Sequence, residues 1–166
     1  MEATLSKKIL SFSINTENSD YKHWAKDMAM QAGELISAEI SENDKEYIIG
    51  KIKSNAMKAG KALSDSSFTF GIEQKHLLIE LISEWTLDKS MLLVNSGISC
   101  DYWDKILQRI AYTIFEAAKY CFAEAISKED TLSVIEHHVD KAYKEGLDEL
   151  LKRKVITDEC YEKALK

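Results

Sequence analysis

The sequence of 166 residues contains no proline. Proline fixes φ and removes a backbone donor, so its absence leaves long helices uninterrupted and excludes proline-rich linkers. Glycine is also sparse, with six residues spread thinly and no Gly/Ser-rich stretch. Of the 22 basic residues only Arg109 and Arg153 are arginine. Lysine lacks the planar fork that grips phosphate or carboxylate, so arginine-based anion recognition has little material here. Cys100, Cys121 and Cys160 are odd in number, far apart and form no C-x-x-C pair. That disfavours a disulfide or zinc framework and points to a reduced, cytoplasmic setting. No window approaches the roughly 18 apolar residues of a membrane span, and the N-terminal stretch lacks the apolar core of a signal peptide. Phosphate-binding glycine loops, a G-x-S-x-G elbow and EF-hand loops are all missing.

What the chain does have is helical periodicity from end to end. The composition, 45% hydrophobic and 30% charged, is that of a globular domain. The net charge of −6 is spread evenly and disfavours nucleic acid and anionic membranes as partners. Over residues 19–40, Trp24, Ala25, Met28, Ala32, Leu35 and Ile36 recur at spacings of three and four, one stripe of a helix. Asn18 or Ser19 is the expected cap. Ser41 and Asp44 form a capping-box pattern before a second helix, which ends near Leu63. Its Ala56, Ala59 and Gly60 permit close approach by a neighbour. Phe68 and Phe70 sit in a connecting loop, expected to tuck under the bundle.

A third helix begins after Gly71, runs to Trp85 and is apolar over more than half its circumference, so it is expected to be the most buried element. A separate short helix is predicted over 88–95, ended by Gly97 in the left-handed conformation. The longest predicted helix spans about 100–126, with Ser99 as its cap. A sixth follows Ser127, and Thr157 caps a terminal one. The expectation is all-α: a compact single-domain bundle over 1–166 of six or seven helices, mostly antiparallel neighbours, around a long central helix. Residues 1–16 are expected to pack loosely.

Four groups of residues are candidates for function. Glu73-x-x-His76 and Asp20-x-x-His23 have the i, i+3 spacing by which helical bundles present metal ligands. Both pairs fall in first turns, where acids also offset the helix dipole, and no metal or other cofactor is expected. The tandem His137-His138 diverges by about 100° on a helix, so the pair cannot chelate one ion. His138 is expected to border the core. Lys51, Lys58 and Lys61 share a face of the second helix and are the anion-contact candidates, although a solvated lysine face is the simpler reading. Tyr112, Phe115 and Tyr120 flank the long helix away from its main stripe, which marks an interface face.

These features lead to a non-catalytic protein-binding or regulatory bundle, its partner another protein or a second copy in a homodimer. The alternative is a metal-dependent enzyme or small-ligand-binding bundle using the acid–x–x–His pairs.

Overall fold

The structure, a computed structural model, describes residues 10–15, 17 and 20–166. Among these described residues six α-helices are joined by short connections: α1 (Tyr21–Leu35), α2 (Glu42–Asp65), α3 (Ile72–Ser96), α4 (Trp103–Ala123), α5 (Lys128–Lys152) and α6 (Asp158–Ala164). A single 3-10 turn, Cys100–Tyr102, precedes α4. No strand occurs among the described residues.

Hydroxyl and carboxylate caps set most of the helix starts. Ser41, Ser127 and Thr157 accept from the N–H three residues on, and Ser99 and Asp20 from the N–H two residues on. Each satisfies one backbone donor that the helix itself leaves open. The first helix is therefore capped by Asp20; Asn18 and Ser19 lie outside the described residues. It also stops at Leu35, short of the expected Ile40. Ile36 is extended, and Ser37 Oγ accepts from Glu39 N–H in a turn that competes with the helix. Ile36 is nonetheless buried and Ile40 half-buried, which explains why the apolar rhythm runs past the helix end.

α3 is one continuous helix, and the separate 88–95 helix does not exist. Nothing in the sequence interrupts it before Gly97, whose φ of 85° ends it. Every residue from Leu81 to Leu87 is buried. The polar ones are accommodated individually: Ser83 Oγ donates to the Ile79 carbonyl and Thr86 Oγ1 accepts from Asn55 Nδ2 of α2. α1, α2, α4 and α6 all pack on α3. The helix expected over 100–126 divides into the 3-10 turn and the 21 residues of α4, so α3 and α5, with 25 each, are longer. The α4 end is set by Ala125, at φ 54°, with Ile126 N–H donating back to the Cys121 carbonyl.

Neighbours in sequence run antiparallel. Tyr21 at the start of α1 meets Gly60 near the end of α2, and Ile106 near the start of α4 meets Gly146 near the end of α5. Glycine is needed at position 60, where a Cβ would overlap Tyr21. The Phe68–Phe70 loop folds under as expected: Phe70 is buried against Phe115 and Phe122, with ring centroids 5.8 and 6.0 Å away. Burying such a ring stabilises by about 1.5–3 kcal/mol.

Residues 10–15 are not loose. Phe12 and Ile14 are buried in the common core, and the segment lies extended against α1 and α3. Residues 1–9 and 16 of the expected loose segment lie outside the described residues.

Candidate functional site: the groove between two parallel helices

α2 and α4 flank α3 and run in the same direction, since Tyr47 of α2 stacks edge-on with Trp103 of α4 and Lys51 pairs with Asp104 at one end. Further along, the two helices are separated by a groove of about 360 Å³. Its floor is Ile82 of α3 with the buried Asn55, and its walls carry Ala59 and Ala62 from α2 and Ala111 and Phe115 from α4. The alanine walls leave space that no side chain of the described residues fills.

The rims differ in charge. Lys58 stands on the α2 side and Glu116 on the α4 side, where Lys119 lies 3.8 Å from Glu116. Tyr112 rises from the α4 rim with 68% of its surface exposed, and Tyr120, two turns on, is 61% exposed. Tyr112, Glu116 and Tyr120 recur every four residues and so share one outward stripe. Phe115 is half-buried between that stripe and the core. The lysine trio divides: Lys51 is committed to Asp104, Lys58 borders the groove and Lys61 is exposed one turn further on.

The acid–x–x–His residues stand apart from this groove. Asp20 caps α1, with His23 exposed 3.7 Å away. Glu73 is exposed in the first turn of α3, and the His76 ring packs edge-on against Trp24, centroids 5.0 Å apart. Among the described residues no group of three His, Cys, Asp or Glu side chains is placed to hold a metal ion. His137 and His138 are both exposed, so His138 does not border the core. Burial pushes the His76 imidazole below its ordinary value, against the opposing pull of Glu73. Burial likewise raises the Glu80 carboxyl, against the Ile14 N–H and Lys128, which favour its charged form.

A second cluster joins α3 to α5. Lys89 is 7% exposed, its ammonium 2.9 Å from Asp140 and 3.6 Å from Asp88, and over the rings of Trp85 and Tyr143 at 5.5 and 4.9 Å. Two carboxylates and two aromatic faces replace the water a lysine loses on burial. Tyr143 in turn donates to the Ala164 carbonyl of α6, 2.7 Å away, and burial holds its phenol well above the usual range. Lys89 is not among the candidate residues that the sequence motifs mark. Its signal in the sequence is a lysine set within the most apolar stretch of α3, where burial requires partners.

No protein family, curated protein or solved structure matches the chain. Among the described residues no helix is long and apolar enough to cross a membrane.

Proposed function

We propose that the chain is a non-catalytic protein-binding bundle that pairs with a second copy of itself across the α2–α4 groove. One observation carries the reading: the largely exposed Tyr112 stands beside an alanine-walled apolar groove it does not fill. Tyrosine is enriched at interfaces because it brings a large apolar face at low entropic cost.

A second copy is favoured because the rims are self-complementary. A two-fold interface uses the same patch on both subunits, so it needs both signs of charge on that patch. Lys58 on one rim and Glu116 on the other supply them. In the pair, Tyr112 of each copy enters the other's groove over Ala59 and Ala62, and Lys58 faces Glu116 across the axis. An acidic chain repels copies of itself at long range, so this local match is what orients the encounter.

Sedimentation analysis from low micromolar to submillimolar concentration tests the proposal. The expected result is a monomer–dimer equilibrium that Tyr112→Lys abolishes. Lys58→Glu should weaken it, and adding Glu116→Lys should restore it. A monomer at every concentration, or a dimer untouched by Tyr112→Lys, rejects this surface.

A further inference from the structure

Residues 10–15 occupy the trough between α1 and α3 and run antiparallel to both helices. Their side chains alternate: Phe12 and Ile14 turn in and are buried, while Ser11, Ser13 and Asn15 face solvent. Among the described residues no strand pairs with this extended segment; helix side chains read its main chain instead. Gln31 of α1 takes both polar groups of Ser13, its Oε1 accepting from the N–H at 3.0 Å and its Nε2 donating to the carbonyl at 2.7 Å. Asp27 Oδ2 accepts from Asn15 N–H at 3.2 Å, while Asp27 Oδ1 accepts from Gln31 Nε2 at 3.0 Å and so orients that amide. From α3, Glu80 Oε2 accepts from Ile14 N–H at 2.8 Å and Glu84 Oε1 from Ser11 N–H at 2.6 Å.

A segment that merely covers a core needs partners only for the main-chain groups it buries, as Glu84 and Glu80 provide for Ser11 and Ile14. The main-chain groups of Ser13 and Asn15 are exposed and open to solvent, yet Gln31 and Asp27 take them as well. Main-chain hydrogen bonds together with recesses for alternate side chains are how proteins hold extended peptides with little dependence on the intervening residues. We propose that the α1–α3 trough is a binding site for an extended peptide, with residues 10–15 as its built-in, displaceable occupant. The external ligand is an extended segment of a partner protein, with an aromatic and an aliphatic side chain two residues apart. It lacks proline at the positions whose N–H groups Glu84, Gln31, Glu80 and Asp27 accept from, because proline has no N–H to give. It is neutral or basic, because Asp27, Glu80 and Glu84 border the trough and an added carboxylate would be repelled. This site is separate from the α2–α4 groove and stands whether or not the chain dimerises.

The test uses the full chain carrying Phe12→Ser and Ile14→Ser, which empties the two recesses. The probe is a fluorescent, N-acetylated and C-amidated hexapeptide with the sequence of residues 10–15. Saturable anisotropy change is expected, with wild type binding roughly tenfold or more weakly because its tethered segment competes at high effective concentration. Gln31→Ala in the emptied background should abolish binding, as should serine at both apolar positions of the peptide. An emptied variant that unfolds cooperatively in urea yet binds no peptide overturns the proposal. If that variant does not fold, amide exchange in wild type decides. Ser11 and Ile14 amides exchanging well ahead of Leu81–Leu87 support a displaceable segment, and exchange only through global unfolding overturns it.

Discussion

The imidazole of His76 meets the indole of Trp24 edge to face, at 5.0 Å and 88°, and its Nε2 is buried without a hydrogen-bond partner among the described residues. The pair ties the start of α3 to the start of α1, where a metal reading of the sequence would have placed a ligand. Burial depresses the His76 pKa, so folding favours the neutral ring.

That sets the sign of a pH effect. The unfolded chain binds a proton at His76 near its ordinary value of about 6.5, while the folded chain resists it. The stabilisation is therefore complete above that value and is lost as pH falls through the lower folded pKa. Glu80 runs the other way, since burial raises its pKa and favours the protonated form. Its contribution is complete below the ordinary glutamate range and fades as pH rises through the folded value. Urea unfolding at a series of pH values should show His76→Phe, which keeps an aromatic ring against Trp24, with a flatter profile between pH 7 and pH 5 than wild type. Equal slopes would exclude His76 as the source.

Gly60→Ala should destabilise by about 1–3 kcal/mol, because the new methyl meets Tyr21 where α1 crosses α2. Gly146→Ala should cost less. Its Cβ would approach Ile106 Cγ1 to 2.9 Å, a side-chain atom that can yield, and alanine regains up to about 1 kcal/mol of helix propensity. Denaturant midpoints of the two variants check the order.

The Lys89 cluster makes a similar ordering. Lys89→Ala should cost about 1–3 kcal/mol through its lost packing between Trp85 and Tyr143. Lys89→Met keeps the stem and should cost less, because the Asp88 and Asp140 carboxylates left behind are 35% and 55% exposed and can be solvated. Equal costs would mean that the ion pairs rather than the stem dominate, because both variants remove the ammonium.

Ala125 and Lys154 adopt left-handed φ of 54° and 61° at helix ends where glycine is the usual residue. Ala125→Gly and Lys154→Gly should each raise stability by up to about 1 kcal/mol, since both positions are exposed and the change relieves only the Cβ conflict. Thermal melts resolve a shift of that size.

Tyr112→Ala should leave the unfolding free energy of the monomer within about 0.5 kcal/mol of wild type, because the ring is mostly solvated. The same variant should shift the monomer–dimer equilibrium. A large loss of monomer stability would mean the ring belongs to the fold and not to an interface.

The all-α class, the caps at Ser41, Ser99, Ser127 and Thr157, the left-handed Gly97 and the enclosure of α3 were readable from the sequence. Each depends on residues within a few positions of one another: a hydroxyl near the N–H it accepts from, or an apolar surface that covers more than half of one helix. The alternation in Leu10-Ser11-Phe12-Ser13-Ile14-Asn15 was also present in the sequence, but a single period-two stretch among helices does not say what it lies against. Only tertiary structure joined it to Gln31, Asp27, Glu80 and Glu84, up to 73 positions away. The same holds for Lys51 with Asp104, for Lys89 with Asp140, and for the groove that sets Lys58 opposite Glu116. Periodicity tells which side of a helix is apolar; the packing of helices on α3 decides which polar side chains become partners and which apolar walls stay uncovered.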